Sequence, residues 1–447
     1  MRYHRSVRLL GAGLLALAGA CAGAGPSALP GENPHPVRLR RPARAPLSAM
    51  AQLGRSIFHD ASLSSSARLS CSSCHSPQHH YGPPNDDAVM SGGPGLTRQG
   101  VRAVPSIAYL EREPSFSIGP EQDEDDRVVD LAQMAALAQK AARAKKSATH
   151  TARSALNTVP QGGLFWDGRA DTLQQQALGP MLDPDEMDGG SVEAVAVRLR
   201  KAPYAAAFTA LFGPAILDDP RLLVSEATFA VARFQIEDSS FHPYTSKFDY
   251  WLEGRARLSE SELRGLSRFR DPDKGNCGAC HVSEPTRDGL PPLFTDHQYE
   301  ALGAPRNAAL AGNRDPAYYD LGICGPIRKQ LSGETQYCGM FATPTLRNVA
   351  TRRVFFHNGV FTSLRQVLDF YNFRDTRPGK IYPRGADGTV QKFNDLPARY
   401  RANVDIADPP FDRHRGEAPP MTAQDEADII AFLGTLTDGY GRQRSKR

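Results

Sequence analysis

Apolar positions along this chain recur mostly at helical spacing. Leu53 and Ile57 stand four residues apart, and Leu263, Leu266 and Phe269 stand three apart. Both spacings place the side chains on one face of an α-helix. The two stretches also form an internal repeat. Gly54-Arg55-Ser56-Ile57-Phe58-His59-Asp60 and Gly265-Leu266-Ser267-Arg268-Phe269-Arg270-Asp271 share a Gly, a Phe four residues on, and an Asp two further. The pattern predicts two matching amphipathic helices, the second capped by Ser259 or Ser261. A further helix is expected from Thr422 through Ile429, Ile430, Leu433 and Leu436. Ser191–Phe212 and Leu222–Phe234 have helical composition, interrupted at Pro214 and Pro220. Few stretches alternate as strands do, so the expected fold class is all-α with long loops.

Two segments stand outside this pattern. Residues 22–46 are rich in Pro, Gly and Arg, including Gly31, Pro34, Pro36, Pro42 and Pro46, and read as a flexible linker. Order is expected from about Leu47. Near 121–150 the chain carries an insertion: acidic Glu121–Asp126, then Ala-rich Leu131–Lys146 with Lys140, Arg143, Lys145 and Lys146. It reads either as a solvated helix on a loop or as a docking element for a partner protein.

The beginning of the chain reads as a signal peptide over residues 1–21. Arg2, His4, Arg5 and Arg8 precede the apolar run Leu9–Ala20, which is too short to span a bilayer. It ends in Leu17-Ala18-Gly19-Ala20-Cys21, which resembles a lipoprotein processing site and would make Cys21 a lipid anchor. Ordinary cleavage nearby is the other reading. Both imply export to the periplasm. The 447 residues allow two or three domains, and a net charge of +4 gives no reason to expect nucleic-acid binding.

The cysteines change the picture most. Cys71-Ser72-Ser73-Cys74-His75 and Cys277-Gly278-Ala279-Cys280-His281 are both C-x-x-C-H. This is the signature of covalent haem c attachment: two thiols add to the haem vinyl groups and the His binds the iron. A zinc site would need ligands gathered across about 200 residues. Two copies imply two haems. Besides Cys21, the remaining cysteines are Cys324 and Cys338, fourteen apart. In an exported protein they read as a disulfide; two buried free thiols are the alternative.

A third set of residues carries the rest. Phe165-Trp166-Asp167-Gly168-Arg169-Ala170 is followed by Gln174-Gln175-Gln176-Ala177, Pro180 and Asp185-Glu186-Met187. Later come Thr343-Pro344-Thr345-Leu346-Arg347-Asn348-Val349 and Phe356-His357-Asn358-Gly359. With the two haem motifs, this order resembles the bacterial di-haem cytochrome c peroxidase family, including its MauG-type branch, from about Leu53 to Leu436. The resemblance implies two cytochrome c-like domains, a peroxidatic one over 47–255 and an electron-transfer one over 256–447. It makes His75 the proximal ligand of the peroxidatic haem and His281 that of the second. It places Trp166 between the haems, Gln176 and Pro180 in the distal pocket, and Glu186 as the acid–base group. The chemistry agrees with that role: splitting a peroxide needs a proton moved from one oxygen to the other, and a buried carboxylate can move it. Taken alone, Glu186 also reads as a surface carboxylate in the acidic loop Asp183–Asp188, and Trp166 as a core aromatic.

Two departures from the family pattern matter. Many members carry a His after the first motif that ligates the resting iron. Here the stretch reads Ser91-Gly92-Gly93-Pro94-Gly95-Leu96, while His79 and His80 come too early and read as surface residues. The first haem is therefore expected to lack a sixth protein ligand. Fourteen residues after His357, where ordinary members have a Met ligand, stands Tyr371. This is the MauG-type arrangement, and a phenolate lowers a haem potential that a thioether would raise. Met340 is the alternative ligand. The family also binds calcium through an Asn following an Arg; Arg102-Ala103 is the matching stretch and lacks that Asn.

Three functions follow. The first is a peroxidase reducing hydrogen peroxide with electrons from a small cytochrome c or cupredoxin. The second is a MauG-like enzyme oxidising residues of a partner protein. The third is a non-catalytic electron-transfer cytochrome. The resemblance also raises a homodimer, for which no surface patch argues.

Overall fold

The computed structural model describes residues 30–120 and 158–441. The signal peptide, Cys21 and the insertion near 121–150 lie outside these residues. Regular structure is mostly helical, with three two-stranded antiparallel ribbons. One of them, Ser117–Pro120 with Thr158–Gln161, joins the two ends of the insertion.

The first half holds α1 (Ala49–Phe58), α2 (Cys71–Cys74), α3 (Leu173–Leu182), α4 (Val192–Lys201), α5 (Ala205–Phe212) and α6 (Pro220–Glu237). The second holds α7 (Lys247–Leu252), α8 (Glu260–Arg270), α9 (Cys277–Cys280), α10 (Leu364–Phe373) and α11 (Ala423–Gly434). The stretch Ser191–Phe212, helical by composition, is two helices that separate around Ala202 and Pro203.

The repeated glycines explain the packing. α1 crosses α6 at Gly54, where a Cβ would lie 1.8 Å from the Ala230 carbonyl oxygen. α8 crosses α11 at Gly265, where a Cβ would lie 2.0 Å from the Asp428 carbonyl oxygen. Only a residue without a side chain lets the backbones approach so closely. The apolar faces predicted around these glycines are buried on either side of the crossings. Leu53, Ile57, Phe58, Val231 and Phe234 belong to one core; Leu266, Phe269, Ile429, Phe432 and Leu433 belong to a second. Capping is as expected at Thr422, and Ser259 rather than Ser261 caps α8 through a reciprocal pair with Glu262.

The two cores are pinned together by buried polar contacts. Arg347, held within the second half by a fork onto Asp249 at 3.0 and 2.9 Å, lays its guanidinium over the Tyr109 and Tyr244 rings of the first core at 4.8 and 4.7 Å. Tyr109 from the first half donates to Asp438, which also accepts from Asn348.

The flexible-linker expectation does not hold for residues 30–46. Val37 N–H donates to the Leu252 carbonyl at 2.8 Å and Arg40 N–H to the Gly289 carbonyl at 2.7 Å. The Trp251 indole donates to the Gly31 carbonyl, Arg41 pairs with Glu253, and Leu39 is buried in the second core. The composition was that of a linker, but the backbone groups find partners on a neighbouring surface, and the segment is a strap across the second half.

Candidate functional site

The first thiol pair sits on the single turn α2, whose N-cap Ser70 exchanges hydrogen bonds with Ser73. His75 follows. Its Nδ1 lies 3.2 Å from the Tyr81 carbonyl, which can only accept, so Nδ1 carries the proton and Nε2 keeps a free lone pair. Tyr81 is held in turn by stacking on Phe241 at 3.6 Å. Burial lowers the His75 pKa to about 4, so the ring is a neutral ligand at any ordinary pH.

Glu186 stands next to this pair. Burial and then the neighbouring charge of Glu186 raise the Cys74 thiol to about 11; burial, Cys74 and Glu186 raise Cys71 to about 12. Protein surrounds Glu186, yet the side chain keeps an open surface. Burial and then Asp183 push its pKa to about 7, against the opposing pull of Arg169. Its turn is fixed by Gly93, whose N–H donates to the Glu186 carbonyl at 2.8 Å. Gly92 is required there: a Cβ would lie 2.3 Å from both the Asp185 and Glu186 carbonyl oxygens. The Gly-rich stretch 91–96, which lacks the family's His, therefore packs on the turn bearing Glu186. His79 is exposed and lies 3.1 Å from Ser76 Oγ.

The second thiol pair opens on a cavity of about 900 Å³ whose wall reaches from Cys277, Cys280, His281 and Tyr371 to Trp166 and Gln176. His281 repeats the geometry of His75: Nδ1 donates to the Phe294 carbonyl at 2.9 Å, and burial lowers its pKa to about 4. Tyr371 projects from α10 onto the same wall and stacks on Phe411. Burial and then the nearby Cys280 and Cys277 push its hydroxyl pKa up. Met340, the alternative ligand, is absent from the wall among the described residues; it packs with Tyr299, Ile323 and Tyr337.

Trp166 donates through Nε1 to the Ala103 carbonyl at 2.8 Å, and its own carbonyl accepts from Ala342 at 3.0 Å. Gln176, on α3, is buried, and Pro180 lies in the last turn of the same helix. Arg102 occupies the carboxylates of Asp167 and Asp320, and no group of three or more His, Cys, Asp or Glu suited to a metal occurs among the described residues. Cys324 and Cys338 are joined as a disulfide, with Cα atoms 5.0 Å apart.

Two further wall residues, Glu300 and Arg352, have no place in the sequence reading, and a third, His357, enters it only as the marker from which Tyr371 is counted. Glu300, beside Cys280, is raised to about 8 by burial and by Asp405. His357 stacks on Phe341 at 3.5 Å. Arg352 is an enclosed cation. Glu300 and Arg352 carry no sequence signal; only their tertiary surroundings single them out.

The residues present fit two haems: each site offers a thiol pair one helical turn long and a neutral imidazole with one nitrogen free. This combination on a mostly helical scaffold defines a di-haem protein of the cytochrome c type. The comparisons agree. A family model described as "Di-haem cytochrome c peroxidase" matches residues 48–257. The methylamine utilization protein MauG of Paracoccus denitrificans is 34% identical over 408 residues, covering 89% of this chain and 90% of that protein. The cytochrome c551 peroxidase of Nitrosomonas europaea is 26% identical over 321 residues, covering 72% of each. The crystal structure of the di-haem peroxidase BthA from Burkholderia thailandensis is similar, with a TM-score of 0.74 and 33% identity. It covers 92% of this chain and 95% of that one. The chain belongs to the di-haem cytochrome c peroxidase and MauG family and is an oxidoreductase. No described helix is long and apolar enough to cross a membrane.

Proposed function

We propose that this protein is a periplasmic di-haem c-type peroxidase with two cytochrome c-like domains. Cys71 and Cys74 hold the peroxidatic haem and His75 ligates it. Cys277 and Cys280 hold the second, with His281 and Tyr371 as its ligands. When bound, the haems supply the iron redox chemistry that takes electrons to peroxide. The chain supplies the proton handling. Glu186 carries the proposal: a carboxyl with a pKa of about 7 beside the first thiol pair. At neutral pH about half of it is ionised, so an Oε atom can accept a proton from one peroxide oxygen and return it to the other, which leaves as water. Gln176 orients the peroxide from the distal side. Trp166, on the wall of the cavity that reaches the second motif, relays electrons between the sites.

Tyr371 favours a second reading, oxidation of residues in a partner protein as in MauG-like enzymes. Steady-state assays separate the two. Rapid consumption of hydrogen peroxide with a reduced small cytochrome c or cupredoxin supports the peroxidase. Slow turnover with those donors, together with oxidised Trp or Tyr in an exported partner, supports the second reading.

A further inference from the structure

Arg352 is a part-buried cation, enclosed by protein, that lacks a carboxylate. It follows the short turn Val349–Thr351 in the second half, and its side chain reaches the first. Nη2 donates to the Val104 carbonyl at 2.9 Å and Nε to the Val354 carbonyl at 3.4 Å. Nη1 lies 3.5 Å from where a Cβ on Gly82 would be. Its charge is felt at His75 and contributes to keeping that ring neutral.

Three other enclosed arginines are arranged differently, and a fourth, Arg328, rests on the Asp167 carbonyl and over the Phe116 ring without an ion pair but feels the charge of Asp167. Arg347 faces Asp249, Arg102 faces Asp320 and Asp167, and Arg374 faces Asp375. Among the described residues Arg352 forms no ion pair, and burial alone governs its pKa, lowering it to about 10. Two carbonyl acceptors do not neutralise a charge. Part of the guanidinium remains open, on the cavity wall that also carries Pro105, Trp166 and Gln176. A cation taken out of water without a counter-charge is strongly unfavourable. A planar fork beside a cavity is the geometry that binds a carboxylate through two parallel hydrogen bonds.

We propose that Arg352 is the counter-cation of a propionate carboxylate on the haem attached at Cys71 and Cys74. This rests on the haem reading of the first motif. Arg352 is then a positioning residue: it fixes the haem edge and places positive charge near the first iron, favouring its reduced state. Because it is carried by the second half, it ties the first haem to the opposite side of the molecule. A free carboxylate entering the cavity would satisfy the same chemistry, and the test must separate the two sources.

The experiment uses the purified holoprotein. A pyridine haemochrome assay first counts the haems. Optical redox titrations, with EPR to separate the two irons, then compare wild type, R352Q and R352K, each with and without added acetate. The proposal expects R352Q to lower the first-haem midpoint by at least 59 mV, a tenfold change in its one-electron equilibrium. The second midpoint should stay in place, R352K should recover most of the shift, and acetate should have no effect. An unmoved first midpoint in R352Q overturns the proposal. A wild-type midpoint that depends on acetate also overturns it, in favour of a free anion. Fewer than two haems in the wild type refutes the haem reading itself and Arg352 with it. If R352Q does not fold, resonance Raman spectra of wild type and R352K decide. The propionate-bending band must shift when a fork becomes a point charge, and identical bands refute the pairing.

Discussion

The two thiol pairs are presented in the same way and faced by different chemistry. Each follows a helix that crosses a partner at a glycine, Gly54 on α6 and Gly265 on α11. Each places a His whose Nδ1 is held by a backbone carbonyl, Tyr81 in one half and Phe294 in the other. The groups opposite are not related. The first site has an open-faced carboxyl on an acidic turn, tuned to about 7. The second has a buried phenol on a helix. On the proposed reading the shared part would hold an iron, and the part that differs would decide what the iron does. Function therefore lies in the segments that the repeat does not cover.

The largest break in this comparison should come from E186Q. It leaves both thiol pairs and both imidazoles in place but removes the proton carrier. Peroxide turnover should fall by about 10²–10⁴-fold, with the optical spectrum of the second haem unchanged. The pH profile gives the sign. The ionised form is the base, so kcat/KM should rise as pH passes about 7 and fall below it. E186Q should lose that limb.

Next in size is the joint between the halves. Truncating Arg347 leaves Asp249 buried and unpaired, which costs about 3–5 kcal/mol. R347M should show this in denaturant unfolding, and both haem environments should be disturbed together because the Arg347 guanidinium also lies over Tyr109 and Tyr244 of the first core.

The symmetric pair of variants G54A and G265A sharpens the comparison. Each pushes a methyl group into a carbonyl oxygen across a helix crossing. Each should cost about 1–3 kcal/mol as overpacking does. Absorption bands should shift at the first haem in G54A and at the second in G265A. Equal disturbance of both haems by either variant would contradict two separate cores.

The smallest effect is a change of potential at one site. Y371M replaces an anionic oxygen donor by a thioether, so the second-haem midpoint should rise. A shift above about 59 mV, tenfold in the one-electron equilibrium, is expected in a redox titration, with the first haem unmoved.

The sequence was most legible where chemistry is written locally. C-x-x-C-H is contiguous, and the periodicity around Gly54, Gly265 and Ile429 reports helix faces directly. Tyr371 was reached by counting from His357, and it lies on the same cavity wall as Cys277, Cys280 and His281. The strap over residues 30–46 was misread because Pro, Gly and Arg content describes the chain's own stiffness and not the surface of Leu252 and Gly289 that it meets. The break near Pro203 was missed because the composition stays helical on both sides. Glu186 was indistinguishable from its acidic neighbours until the resemblance singled it out; the protein that encloses its open-faced carboxyl is brought there by the fold. Arg352 and Glu300 left no trace in the sequence for the same reason.

The most direct test adds equimolar hydrogen peroxide to the diferric protein without any reductant and follows optical and Mössbauer spectra. The account predicts a prompt reaction that needs no prior reduction, with long-lived changes in both iron signals if Tyr371 ligates the second haem. A protein that stays diferric and unreactive would contradict it, because the first site would then be closed to peroxide and Glu186 would have nothing to act on.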